Sequence, residues 1–289
     1  MADGHTATRF RRRTVEVRGR PVAYLVGGAG PAVVFLHGWV LSASSYRAAL
    51  RRLSGAGLRV LAPALPGFGG TADLPAAELD LSGYGRWVVD FLDAVGQREP
   101  VTLVGHSFGG GVAVRTAHDA PDRIGRLVLV NSIGGSVWTD DGAGTVRFLR
   151  DRPIWDWGLH LRADVLPIRQ LTRVLPVIAQ DVARNLLRSP GARWRVGRLA
   201  STADLRPELE ELKRRRVPVV WGRQDQVIPE ASLAALRLAL GDPRVVTVEG
   251  SHAWLIRDPR SFTEVITNVV GLRPAGDDGG PAEAPPSLG

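Results

Sequence analysis

Val101-Thr102-Leu103-Val104-Gly105-His106-Ser107-Phe108-Gly109-Gly110-Gly111 is the stretch that decides the fold. A largely apolar run enters Gly-x-Ser-x-Gly, and a helix-forming segment leaves it. Between a strand and a helix, this pentapeptide is a candidate nucleophile elbow, a sharp turn that lifts a serine hydroxyl into a cleft. The turn strains the backbone at Ser107. Side chains two positions to either side would collide, which accounts for Gly105 and Gly109. Gly110 and Gly111 let the following helix approach the strand closely. Ser107 as an ordinary helix N-cap is the competing reading, since serine is favoured there.

A serine hydroxyl is a poor nucleophile at neutral pH and needs a base, which in turn needs an orienting acid. Both stand downstream, each in a loop after a strand-like run. Val217–Trp221 is followed by Gly222-Arg223-Gln224-Asp225, with Pro229 beyond, and the run 245–248 by Gly250-Ser251-His252. The order Ser107, Asp225, His252 is that of one scaffold and differs from the chymotrypsin and subtilisin orders. Upstream, the buried-strand pattern 33–36 runs into His37-Gly38-Trp39, where a backbone N–H for an oxyanion hole is expected. Asp204 is a rival acid, but it precedes a helix instead of following a strand. Asn131 ends the run of the sixth strand and carries no charge.

The rest of the chain reads as alternating strands and helices. Polar–apolar alternation over 14–17 and 22–25 predicts an initial hairpin with one packed and one wet face. Continuous apolar runs at 33–36, 59–62, 101–104, 127–130, 217–221 and 245–248 suit parallel strands buried on both faces. Helices are expected near 44–54, 82–95, 108–117, 230–240 and 259–270, the last opened by Asp258 as N-cap and Pro259 at the first position. This is an α/β pattern with an eight-stranded, mostly parallel sheet and helices on both faces. Between about 132 and 199 no buried strand appears, and helical segments are broken by Pro153, Pro167, Pro176 and Pro190. We read a helical cap inserted after the sixth strand. The expected organisation is a basic N-terminal segment (1–13), a core (14–133 and 200–272), a cap (134–199) and a disordered tail (273–289).

On His37-Gly38-Trp39, Pro66-Gly67-Phe68-Gly69, Gly105-His106-Ser107-Phe108-Gly109, Gly222-Arg223-Gln224-Asp225 and Gly250-Ser251-His252, in that order, the chain resembles the α/β-hydrolase superfamily. The resemblance is to its cap-bearing branch of esterases, haloperoxidase-like enzymes and carbon–carbon bond hydrolases, and runs from about 15 to about 271. Relatives usually carry Asp where Ala64 stands and often Pro where Val40 stands; both residues shape loops. The resemblance implies a carboxylic ester hydrolase with Ser107 as nucleophile, His252 as base and Asp225 as its orienting acid. Backbone N–H groups of Trp39 and Phe108 would hold the oxyanion. Branches that attack saturated carbon use Asp at the elbow, so Ser107 points to acyl-carbonyl substrates. Trp138, Trp155 and Trp157 in the cap are expected to line the pocket for a small hydrophobic ester or carbonyl substrate. Two alternatives stand beside the esterase: hydrolysis of a carbon–carbon bond in a vinylogous diketone acid, and a low-turnover ligand-binding or accessory protein of the kind that accompanies tetrapyrrole biosynthesis.

Composition narrows the partners. The formal charge is +8, carried almost wholly by arginine, with Lys213 the single lysine. The basic runs are Arg11–Arg13 and Arg214–Arg216, with no interleaved aromatics, so nucleic-acid binding is not expected. Cysteine is absent, which excludes disulfides and thiolate metal sites. His5, His37, His106, His118 and His160 have no mates at metal-ligand spacing, and neither metal nor cofactor is expected. The basic start lacks the apolar segment of a secretory signal, and no apolar run is long enough to span a membrane. These features read as a cytoplasmic enzyme, monomeric or homodimeric.

Overall fold

The computed structural model describes residues 9–140, 146–153, 156, 160 and 190–271. Eight strands form one sheet: β1 (Arg11–Val17), β2 (Arg20–Gly27), β3 (Ala32–Leu36), β4 (Arg59–Pro63), β5 (Val101–His106), β6 (Ile124–Val130), then, past β7 and β8 below, β9 (Val219–Gly222) and β10 (Val245–Val248). Their spatial order is β1-β2-β4-β3-β5-β6-β9-β10. The hairpin β1–β2 and the β2–β4 pair are antiparallel, and every later pair is parallel. The expected mostly parallel eight-stranded sheet is therefore the observed one.

The helices are α1 (Arg47–Gly55), α2 (Leu81–Ala94), α3 (Phe108–Asp119), α4 (Pro190–Thr202), α5 (Arg206–Leu212), α6 (Glu230–Ala239), α7 (Trp254–Arg257) and α8 (Pro259–Val270). Period-2 alternation along the central strands sends neighbouring side chains to opposite faces. Val34, Leu36, Leu103, Leu127 and Leu129 join one apolar cluster with α2, α3 and α5. Val33, Phe35, Val104, Val128 and Val130 join a second with α1, α7 and α8. Helices on both faces follow from strands apolar on both. α8 starts as its sequence requires: the Asp258 carboxylate accepts from the backbone N–H groups of Arg260 (3.1 Å) and Ser261 (3.0 Å), and Pro259 follows.

Two readings need correction. The segment after the sixth strand is not helical throughout: β7 (Val137–Asp140) and β8 (Val146–Phe148) pair antiparallel before α4 begins. Val137, Thr139 and Val146 are β-branched and suit a strand, but runs this short carry no periodicity to read. The run Arg214–Arg216, placed by sequence at the end of a helix just before a strand, where cations suit the helix dipole, does more than that. Arg215 donates to the carbonyls of Ala117 (3.3 Å), Pro121 (3.1 Å) and Ile124 (2.5 Å), tying the end of the elbow helix to the start of β6. On the edge strand β1, Arg11, Arg12 and Arg13 are exposed, where charge discourages pairing with another chain. Among the described residues no helix is long and apolar enough to cross a membrane.

Candidate active site

The elbow forms between β5 and α3. Ser107 has φ 55° and ψ −121°, a conformation foreign to an N-cap, and its side chain makes no capping hydrogen bond. Its carbonyl accepts from Gly110 N–H at 2.9 Å, which locks the turn onto the first turn of α3. The glycine requirement is steric. A Cβ on Gly105 would lie 2.5 Å from the Gly109 carbonyl oxygen, and one on Gly109 would lie 2.4 Å from that of Leu36. The N-cap reading of Ser107 is thus replaced by a strained turn that leaves its hydroxyl uncommitted to the helix.

Asp225 and His252 stand on the loops after β9 and β10. Parallel pairing of these strands aligns their carboxyl ends, and cross-loop bonds hold them there: Arg223 N–H to Val248 O (2.9 Å) and Gln224 N–H to Gly250 O (2.9 Å). The Asp225 carboxylate is fully buried. One oxygen, Oδ1, accepts from Val227 N–H (2.8 Å) and Ile228 N–H (2.9 Å). The other, Oδ2, accepts from His252 Nδ1 (2.8 Å) and Asn131 Nδ2 (2.6 Å). A carboxylate so placed fixes the proton of His252 on Nδ1 and leaves Nε2 as the basic nitrogen. The His252 ring lies 4.8 Å from that of His106, the residue before Ser107, and the His252 carbonyl accepts from His106 Nε2 at 3.0 Å. Ser107 and His252 are themselves 7 % and 4 % exposed, so this chemistry is shielded from bulk water.

The loop after β3 packs directly on the elbow. A Cβ on Gly38 would meet His106 Nδ1 at 3.1 Å and Ser107 Cβ at 3.2 Å. His37 is structural, as its motif implies: its Nε2 accepts from Leu65 N–H (2.9 Å), so its Nδ1 carries the proton and donates to Gly38 O (2.9 Å). Trp39 follows, and its indole lies against α4. A Cβ on Gly197 of α4 would sit 2.7 Å from Trp39 Cζ2. Phe108, wholly buried, opens α3, where backbone N–H groups lack intrahelical acceptors. Both residues expected to supply the oxyanion hole therefore border the elbow.

The remaining candidates fall elsewhere. Asp204, the rival acid, is chelated by Arg206 (Nε at 2.8 Å, Nη2 at 2.6 Å), and that hydrogen bonding draws its carboxyl below the usual range. Trp138 is half-buried beside Arg152, whose guanidinium lies 6.0 Å from the indole centre. Trp155 and Trp157 lie outside the described residues, as does His5. His118, near the end of α3, bridges Asp119 (2.7 Å) and Glu211 (3.0 Å).

Three residues to which the sequence assigned no role have a stake in the site. Asn131 is one: beyond the amide donated to Asp225, its Oδ1 accepts from Trp254 Nε1 (2.8 Å) and Gly222 N–H (3.3 Å). Arg152 is another, an arginine with a side chain only 2 % exposed that donates to Val227 O (2.7 Å) and Gln226 O (3.1 Å) on the acid loop. Tyr46, buried, donates to His106. The signal at Asn131 was its place at a strand's carboxyl end; Arg152 and Tyr46 gave none.

Known proteins agree with this architecture. A pimeloyl-[acyl-carrier protein] methyl ester esterase of Aeromonas hydrophila is 28% identical over 258 residues, 84% of this chain and 97% of that one. A 2-hydroxy-6-oxo-2,4-heptadienoate hydrolase of Pseudomonas putida is also 28% identical over 258 residues, 84% of this chain and 90% of that one. A solved serine hydrolase involved in carbazole degradation superposes with a TM-score of 0.72 at 20% identity, over 91% of this chain and all of the other, a likeness of fold. The sequence pattern of the Alpha/beta hydrolase family matches residues 33–265, most of the sheet and every site loop described above, and the chain belongs to that family.

Proposed function

We propose that this hydrolase cleaves a carboxylic ester, or a closely related carbonyl substrate, through an acyl-enzyme on Ser107. The observation that carries the proposal is the Asp225–His252 hydrogen bond of 2.8 Å, held against the elbow by the His106 contact to the His252 carbonyl. His252 Nε2 takes the Ser107 proton as the oxygen attacks the carbonyl carbon, and the imidazolium formed is stabilised by Asp225. The same proton then passes to the departing alcohol. Water repeats the sequence in reverse, releasing the acid and restoring Ser107. Backbone N–H groups of Trp39 and Phe108 receive the oxyanion, each worth about 3 kcal/mol in the transition state. The segment from 134 to 199 acts as a cap: α4 lies on Trp39, and Arg152 is bonded to the acid loop.

Two relatives at the same identity carry different chemistry in their names, an ester in one and a dienoate in the other. A fluorophosphonate probe tests the nucleophile: stoichiometric labelling that disappears in Ser107→Ala is expected, and labelling that persists in that variant refutes the reading. A p-nitrophenyl ester panel run beside a dienoate separates the two chemistries. Ligand binding with no ester turnover would instead favour an accessory role.

A further inference from the structure

His106 has a buried ring with both nitrogens engaged, and the direction of its hydrogen bonds is fixed by its partners. The His252 carbonyl can only accept, so His106 Nε2, 3.0 Å away, carries the proton. In the neutral ring Nδ1 is then an acceptor, and it receives the Tyr46 hydroxyl at 2.9 Å. With its proton committed to His106, the Tyr46 oxygen accepts from Gly38 N–H at 3.2 Å. Burial holds the His106 ring well below the usual imidazole range, aided by the neighbouring charge of His252, so the ring stays neutral while His252 cycles. The result is one directed chain, Gly38 N–H to Tyr46 O–H to His106 Nδ1, and His106 Nε2–H to the His252 carbonyl.

We propose that Tyr46 and His106 are positioning residues that couple the oxyanion-hole loop to the loop of the catalytic base, through the residue next to the nucleophile. The proposal rests on the serine-hydrolase reading above. Its geometry explains why three loops from separate strands keep one register. Gly38 is pinned at its N–H by Tyr46 and at its carbonyl by His37, which fixes the peptide leading to Trp39. His252 is pinned at its backbone by His106 and at its ring by Asp225, which fixes the aim of Nε2. Tyr46 itself is braced at 5.0 Å against Phe35 in the core, so the chain is anchored to the sheet and not to a surface loop. Because both His106 nitrogens are committed, it cannot compete with His252 for the serine proton without breaking the link to Tyr46.

The test is the rate of fluorophosphonate labelling of Ser107, read beside thermal stability. Tyr46→Phe removes one oxygen and keeps the ring packing; His106→Leu removes both hydrogen bonds; His106→Gln retains a donor for the His252 carbonyl. Misplacing a reacting group by about 1 Å costs up to about 100-fold. Tyr46→Phe and His106→Leu should therefore label at least about tenfold more slowly, with His106→Gln between His106→Leu and the wild type. The double variant Tyr46→Phe/His106→Leu should be no slower than the slower single one, because both break the same chain. Thr267→Val deletes another buried hydroxyl, bonded within α8 at 2.8 Å, and should lower stability while leaving the labelling rate unchanged. Wild-type rates in both Tyr46→Phe and His106→Leu, or fully multiplicative losses in the double variant, overturn the coupling alone. A wild-type chain that takes up no probe at Ser107 overturns the serine-hydrolase reading, and the coupling with it.

Discussion

Asn131→Asp changes one atom type at a site whose hydrogen-bond directions are set by their partners, and its consequence can be worked through. In the native chain the Asn131 amide nitrogen donates to Asp225 Oδ2 at 2.6 Å, while its oxygen accepts from Trp254 and Gly222. A carboxyl introduced there keeps the outward oxygen as acceptor and turns the inward one on the Asp225 carboxylate. Two carboxylates in that geometry have charge centres about 4 Å apart, and at an effective dielectric of about 20 they repel by about 4 kcal/mol. That is about three pKa units, so a carboxyl that titrates near 3.9 in the unfolded chain holds its proton to about pH 7 in the folded one. The native state thus binds more protons than the unfolded state between those limits, and stability falls as pH rises through them. Relative to the wild type, the variant should be nearly unaffected at pH 4.5 and lose about 4 kcal/mol by pH 8, on the order of 10 °C in Tm. Melting curves of both proteins across that range measure the difference directly. A Tm gap that stays constant from pH 4.5 to 8 would refute the assigned hydrogen-bond directions around Asp225.

Two further outcomes follow from the same reasoning. Val40 has φ 67°, which proline cannot adopt, so Val40→Pro should cost about 3 kcal/mol or more in denaturant melts and slow labelling of Ser107, even though relatives often carry proline there. His118 is held above the usual imidazole range by its hydrogen bond to Asp119 and then by that to Glu211, against opposing desolvation. A raised pKa gives stability that is complete below the unfolded value near 6.5 and is lost as pH rises through the folded one. The Tm difference between wild type and His118→Gln should accordingly be largest near pH 5.5 and shrink toward pH 9, by an amount under about 1 kcal/mol because Glu211 is exposed.

What the sequence made legible is what local physics controls. Buried parallel strands need continuous apolar runs, so 33–36, 101–104 and 127–130 announced themselves, and β3, β5 and β6 cover them. The elbow was legible because its glycines answer to backbone atoms within a few residues or on the adjacent strand. Asp225 and His252 were legible because each follows a strand. Partners joined only by tertiary proximity were not. Asn131 meets Asp225 because β6 and β9 are neighbours, a pairing 94 residues apart that no local pattern encodes. Tyr46 lies 60 residues from His106 and reads in sequence as one more aromatic in a short helical segment. The short β7–β8 pair escaped for the opposite reason, too few residues to display any period.

Backbone strain supplies an argument about the site that is independent of its side chains. Three non-glycine residues with positive φ stand just beyond central strands at one edge of the sheet: Val40 (67°) after β3, Ser107 (55°) after β5 and Asn131 (43°) after β6. Each such conformation costs on the order of 1–3 kcal/mol, against a total stability of only about 5–15 kcal/mol. A fold selected for stability alone would place glycine at these points. The strain persists because neighbouring bonds over-determine it. Ser107 is held by Val130 O at its N–H and by Gly110 and Ile133 at its carbonyl, and Asn131 by Val220 O and by bonds from both ends of its side chain. At 107 and 131 a glycine would relieve the strain and delete the hydroxyl or the amide that faces the site, so the cost is tied to chemistry. Stability is given up at the edge where Ser107, His252 and Asp225 stand, which is where the hydrolytic centre we propose would require it.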